Sequence, residues 1–260
     1  MKVDLHNHTP LCNHAEGTVE EYVEAAIAAG IDVFGFSDHA PMDFDPKYRM
    51  KFSEMAAYRE AVMRAKAAFC DRIEILFGYE VDYLEGHMDR RVLDADADYL
   101  IGSVHFIDGW GFDNPEFIGR YAHEDIDEIW RRYFDAVARM ARSGLFDIVG
   151  HLDLIKVFKF MPKGDIVSIA ADALDAVAEA GMVLEINVAG YRKPVAEAYP
   201  SPALLDAAFA RGIPVTFGSD AHAPDQVGLF RERAEALAKA AGYRECVYFR
   251  NRKKITVPIG

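Results

Sequence analysis

Alternation is what most restricts this chain. Short runs rich in branched and aromatic residues recur, and each is followed by a longer segment with helical periodicity. The runs are Met1–Val3, Ile31–Phe36, Ile73–Phe77, Tyr99–Val104, Phe146–Val149, Met182–Ile186 and Pro214–Phe217. Between them the helical signals are specific. Thr18 and Glu21 have capping-box spacing, and Gly30 stops the helix they open. Ser53 caps a helix to Phe69, and a short one fits Met88–Leu93. Asp125–Arg142 is strongly amphipathic, and Ile166–Ala180 ends at Gly181. Ser201-Pro202 opens a further helix with a cap and an N1 proline, and Phe230–Ala241 is the last. Cys246–Ile259 reads as extended structure.

Roughly seven strand–helix repeats require parallel strands joined by helical crossovers, because parallel neighbours cannot be linked by a tight turn. An open sheet and a closed barrel both satisfy the pattern. A length of 260 residues favours the barrel. No linker, low-complexity tract or internal repeat divides the chain, so 1–260 reads as a single domain.

Six of the seven strand runs end in chemistry. Of nine histidines, His6, His8, His14, His39, His105, His151 and His222 fall at, or just beyond, the C-terminal ends of strands. Glu80 and Asp220 hold the same kind of position. In a parallel barrel those ends converge on one mouth, where active sites are built. A catalytic zinc ion usually takes three protein ligands, so this set suits two or three ions with a carboxylate as bridge. Mixed nitrogen and oxygen donors suit Zn, Fe or Mn. His87 and His123 lie outside the pattern and read as surface residues.

The remaining composition narrows the partners. A formal charge of −13 gives the chain no global attraction for nucleic acid. Cys12, Cys70 and Cys246 are scattered and form neither a disulfide framework nor a metal knuckle. No apolar run reaches the ~20 residues that span a bilayer, and no secretory leader is evident, so a cytoplasmic location without membrane contact is expected.

The motifs themselves are His6-Asn7-His8-Thr9, Cys12-Asn13-His14, Ser37-Asp38-His39, Gly78-Tyr79-Glu80, Ser103-Val104-His105, Gly150-His151-Leu152-Asp153 and Gly218-Ser219-Asp220-Ala221-His222. In this order they resemble the PHP (polymerase and histidinol phosphatase) superfamily. The resemblance implies an α/β fold, a distorted (β/α)7 barrel, with three divalent ions at the C-terminal strand ends. It places His6, His8, Glu80 and Asp220 on one ion. Glu80, His105 and His151 are placed on a second, and His14, His39 and His222 on a third. Asp38 is expected to orient a ligand, and Cys12 to pack. The segment Asn187 to Pro194 and the run Tyr199-Pro200-Ser201-Pro202 resemble the histidinol-phosphatase branch, as does Gly150 to Lys156.

That branch implies a phosphomonoesterase acting on L-histidinol phosphate in histidine biosynthesis. A water between two cations loses its proton near neutral pH and attacks phosphorus as a metal-bridging hydroxide. Ser219 is no nucleophile, because it lacks the G-x-S-x-G elbow. Arg192 is expected to grip the phosphate through paired hydrogen bonds, with Lys156 as a second substrate contact. Asp220, His222 and Arg192 are the candidate catalytic residues, and either Asp220 or a water on the third ion protonates the leaving alkoxide. Two other readings stay open here. One is a phosphoesterase for another small ester or for nucleotide and oligonucleotide phosphodiesters. The other is a metal-binding module without turnover. The region Phe106–Ala122, rich in glycine and aromatics, is expected to cover the site and to contain an aromatic that reads the imidazole. The sequence leaves the oligomeric state open.

Overall fold

The computed structural model describes residues 1–260. Eleven strands form, β1 (Val3–Asp4), β2 (Val33–His39), β3 (Glu74–Asp82), β4 (Tyr99–Ser103), β5 (Phe106–Ile107), β6 (Trp110–Gly111), β7 (Ile148–Val149), β8 (Val183–Asn187), β9 (Val215–Gly218), β10 (Glu245–Arg250) and β11 (Lys253–Pro258). The helices are α1 (Val19–Ala28), α2 (Met55–Ala68), α3 (Arg90–Leu93), α4 (Ile126–Arg142), α5 (Ile166–Ile169), α6 (Ala171–Glu179), α7 (Pro202–Ala210) and α8 (Arg231–Ala241).

Seven strands make one sheet in the order β1-β2-β3-β4-β7-β8-β9, and every neighbouring pair is parallel. The two outer strands then meet. Leu5 donates its N–H to the Phe217 carbonyl at 2.9 Å, Asp220 to His6 at 2.7 Å and His8 to Ala221 at 3.0 Å. This seam nearly closes the sheet into a distorted (β/α)7 barrel, and it lies at the mouth. All residues of β4 and β8 are buried, as strands covered on both faces must be.

Tyr99 shows how the interior fills. Its ring lies over Gly35 and Gly78, where any Cβ would collide with it, and its hydroxyl donates to the Leu5 carbonyl at 2.6 Å. Outside, α4 buries Ile129, Trp130, Tyr133, Phe134, Val137 and Met140 on one face. Burial of each such side chain stabilises the fold by ~1.5–3 kcal/mol. Asp125 caps α4 through the N–H groups of Asp127 and Glu128. The Thr18–Glu21 capping box forms as its spacing predicts.

Several boundaries differ from expectation. The helix over 166–180 is divided at Ala170, although the Ala170 N–H still reaches Ile166. The 53–69 helix starts at Met55, after a 3-10 turn over Phe52–Glu54 whose glutamate bonds back to the Lys51 N–H. The segment without period, 106–122, holds the antiparallel β5–β6 hairpin and a 3-10 helix, Pro115–His123. The extended tail is an antiparallel hairpin, β10–β11, whose Cys246, Val247, Tyr248 and Phe249 are buried. It closes the end of the barrel opposite the mouth. Asn251 and Arg252 bond to Asp98 just before β4, and Arg250 pairs with Glu74 at the start of β3. No helix is long and apolar enough to cross a membrane.

Candidate metal centre

The strand ends bring His6, His8, His14, His39, Glu80, His105, His151, Asp220 and His222 into one cage. Ring centroids are 5.1 Å apart for His6 and His8, 4.0 Å for His8 and His222, 5.2 Å for His14 and His39, and 4.9 Å for His105 and His151. Glu80 divides its two oxygens. Oε2 lies 3.3 Å from His6 Nε2 and 3.0 Å from His39 Nδ1, while Oε1 lies 2.9 Å from His151 Nε2 and 3.6 Å from His105 Nε2. Asp220 Oδ1 lies 3.2 Å from His8 Nε2 and 4.0 Å from His6 Nε2. Donor atoms gather within 4.8 Å of one another in the trios His6–His8–Glu80, Glu80–His105–His151, His14–His39–His222 and His8–Cys12–His222. The first two trios are mostly buried, and the third opens to solvent through His14.

The backbone explains why Asp220 and Glu80 reach the cage. Glu80 lies within β3, paired to Ile101 of β4 and His39 of β2. Asp220 follows β9 with φ 49°, a left-handed conformation that aspartate tolerates better than most residues. Gly218 precedes it because a Cβ there would run into the Glu185 carboxylate and the His6 side chain.

Behind the cage stand carboxylates that hold the imidazoles by their far nitrogens. His6 Nδ1 lies 2.7 Å from Glu185, His105 Nδ1 lies 2.6 Å from Asp82 and His8 Nδ1 lies 3.4 Å from Asp38. Such a partner fixes the tautomer and turns the other nitrogen toward an ion. Asp82 is in turn paired with the buried Arg49 guanidinium, and Asp38 accepts from Thr9. Glu185 also accepts the His151 N–H at 2.8 Å and the Asn187 side-chain amide at 3.1 Å. Glu185, Asp82 and Arg49 were not singled out by sequence reasoning. The available signal was a carboxylate inside an otherwise apolar buried strand, as in Val183–Asn187.

The cage is electrostatically unfinished on its own. His6 Nε2, His222 Nε2 and Glu80 Oε2 are buried without a hydrogen-bond partner. Burial opposes charge on His6, but Glu185, Glu80 and Asp220 outweigh it and lift the imidazole well above its ordinary range. Burial likewise opposes charge on His8, yet Asp220 and Asp38 raise it to about 9. His105 rises to about 10 because Asp82 and Glu80 overcome its burial. His39 falls to about 4, mainly through burial. Burial alone would raise Glu80 and Asp220, but the surrounding histidines hold both well below the usual carboxylate range. Imidazoles and carboxylates packed this closely, with several buried nitrogen and oxygen atoms unpartnered, are costly to bury. A divalent cation with nitrogen and oxygen ligands resolves that cost, so the donor set fits metal ions.

The other candidates divide. Arg192 is partly buried beside Asp220. One terminal nitrogen donates to the carbonyls of Ser219 and Asp220, both at 2.9 Å, and the other has no partner. Lys156 is held within the protein. Its ammonium is fully buried and donates to Asp153 at 2.9 Å, Glu197 at 2.6 Å and the Ala198 carbonyl at 2.8 Å. With three donors on three acceptors, it ties the loop after β7 to the loop before α7 and has none left for a substrate. Cys12 is buried, and burial pushes its thiol up, which opposes the thiolate that a metal requires. His87 pairs with Asp43 at 2.9 Å, away from the cage, and His123 is exposed.

A family model for the PHP domain matches residues 4–189. The chain belongs to the PHP domain family. Among PHP proteins it is 44% identical over 256 residues to a chain of Deinococcus radiodurans named "Probable histidinol-phosphatase", covering 96% of this chain and 97% of that one. It is 30% identical over 261 residues to the histidinol-phosphatase of Bacillus subtilis, covering 89% and 97%. The crystal structure of histidinol phosphate phosphatase from Lactococcus lactis, complexed with zinc, L-histidinol and phosphate, superposes with a TM-score of 0.80. It is 25% identical, with 98% of each chain covered. The PHP barrel described above is thus matched along its whole length.

Proposed function

We propose that this chain is a metal-dependent phosphomonoesterase that hydrolyses L-histidinol phosphate to L-histidinol and phosphate, working as one barrel unit over 1–260. The observation that carries the reading is the end-to-end match at 44% identity to a histidinol-phosphatase-named relative. The cage of unpartnered donors supports it. In this reading three divalent ions, Zn, Fe or Mn, are held by the trios His6–His8–Glu80 with Asp220, Glu80–His105–His151 and His14–His39–His222. When bound, such ions neutralise the phosphoryl oxygens and make a water acidic enough to attack near neutral pH.

The chain's own residues do the rest. The free edge of Arg192 takes a non-bridging phosphoryl oxygen, while its bonds to the Ser219 and Asp220 carbonyls fix its direction. Asp220 is at the mouth with a carboxylate that stays ionised. Either Asp220 or a water held by the third ion would protonate the leaving alkoxide. His222 flanks Asp220, with Nδ1 3.5 Å from Asp220 Oδ1. Glu185, Asp82 and Asp38 keep the imidazoles aligned throughout. A biosynthetic enzyme of this kind belongs in the cytoplasm.

The test is phosphate release by purified protein with its metal content measured by elemental analysis. Histidinol phosphate should turn over far faster than p-nitrophenyl phosphate, and His6→Ala should abolish both reactions. Equal rates on the two esters would remove the substrate assignment.

A further inference from the structure

Three cationic side chains are buried, and two of them have local duties. Lys156 holds two loops together, and Arg231 pairs with Glu235 on its own helix. Arg49 differs, because its carboxylate partner itself holds an imidazole of the cage. It ends the segment Asp45 to Arg49 that follows β2, in which Pro46–Tyr48 makes a 3-10 turn. Pro46 and Lys47 are exposed, but Arg49 is buried.

Its guanidinium serves two partners. One terminal nitrogen pairs with Asp82 Oδ2, and the Nε–H donates to the Asp45 carbonyl at 2.7 Å. The other oxygen of Asp82 lies 2.6 Å from His105 Nδ1. The main chain of Arg49 serves a third partner. Its carbonyl accepts the Asn13 side-chain amide at 2.9 Å. Asn13 stands immediately before His14 in a left-handed conformation, with φ 68°. The Tyr48 ring meets the His14 ring edge-on at 5.6 Å. His105 and His14 belong to different donor trios, yet one short segment holds both. The bond from Nε to the Asp45 carbonyl closes the turn on itself, so displacing the guanidinium displaces the carbonyl that holds Asn13. A guanidinium reaches a carboxylate and a carbonyl at once in fixed directions, which an ammonium at the same place does not reproduce.

We propose that Arg49 is a positioning residue shared by two ion sites. Its guanidinium aligns His105 through Asp82, and its carbonyl aligns His14 through Asn13. This rests on the three-ion reading under Proposed function. The ion at His6, His8 and Asp220 draws its support from Glu185 and Asp38 instead, so it is insensitive to Arg49.

The experiment loads metal-free protein with Cd2+ and follows each ion by cadmium NMR, with resonances assigned through His105→Ala and His14→Ala. Chelator competition then gives the affinity of each site. In Arg49→Lys the His105 and His14 ions should bind about 10- to 100-fold more weakly than in wild type, while the ion at His6 and His8 keeps its affinity. Asn13→Gly retains the left-handed conformation and removes only the amide, so it should weaken the His14 ion alone. If Arg49→Lys does not fold, Arg49→Met combined with Asp82→Asn removes both buried charges together and should still weaken the His14 ion. Unchanged affinity at either His105 or His14 in Arg49→Lys, an equal loss at all sites, or no effect of Asn13→Gly overturns the assignment. A wild type that binds fewer than three ions removes the three-ion reading itself. Three ions in wild type with unchanged affinities in Arg49→Lys remove only Arg49.

Discussion

Glu185 has no direct view of a substrate, yet it makes three contacts that set the cage: His6 Nδ1, the His151 N–H and the Asn187 amide. Glu185→Gln keeps the shape and removes the charge that fixes the His6 tautomer. It should weaken metal binding about 10- to 100-fold, read by competition with a chelator of known affinity, while the melting temperature moves little. A second expectation comes from His8. Without metal its imidazole, raised to about 9, is protonated at pH 7.5. A ligating imidazole must be neutral, so ions entering the cage expel protons. Calorimetric titration of metal-free protein with Zn2+ in buffers of different ionisation enthalpy should give proton release at pH 7.5 that declines as pH rises through about 9. The linkage has the same sign. In metal-free protein, this group's contribution to stability is full below about 6.5 and lost as pH rises through about 9. At this scale the sequence was legible where residues cluster by strand end, as His39 and His105 do. It was silent on Glu185, Asp82 and Arg49, because a partner chosen by folding leaves no spacing to read.

At the scale of elements, the strand–helix alternation carried the barrel because each run had a cap, a stop or a period. Thr18 with Glu21 is the clearest case, since both reciprocal bonds form. The 106–122 segment had no period to detect, because a two-residue hairpin and a 3-10 helix are held by tertiary packing such as the Tyr121 ring stacked 4.3 Å from Phe160. The β10–β11 hairpin was visible only as extended chain, and what it covers could not be read from its own residues. It lays Phe249 toward Tyr99 at 6.4 Å, beneath the barrel interior. Phe249→Ala should therefore cost about 3–5 kcal/mol of stability, measured by urea unfolding, with kcat of the surviving folded protein close to wild type. A comparable fall in kcat at full folding would mean that the hairpin communicates with the mouth.

For the whole molecule, charge and topology act together. A net charge of −13 surrounds a mouth whose own cationic side chains are few, with Lys156 neutralised by Asp153 and Glu197. That charge opposes the approach of long polyanions. Metal-loaded protein that releases phosphate from histidinol phosphate should leave single-stranded DNA intact on a denaturing gel under the same conditions. DNA degradation that disappears in His6→Ala would contradict this. The seam between β1 and β9 has a consequence for biosynthesis. His8 and Asp220, 212 residues apart, are hydrogen-bonded neighbours across it. A ribosome needs roughly 10–40 s to travel from one to the other. The early histidines thus emerge long before their last partners exist, and the full cage forms only after the final barrel strand has been translated. The sites that need Asp220 or His222 cannot be complete before β9 has been made, whereas Glu80, His105 and His151 are all translated earlier.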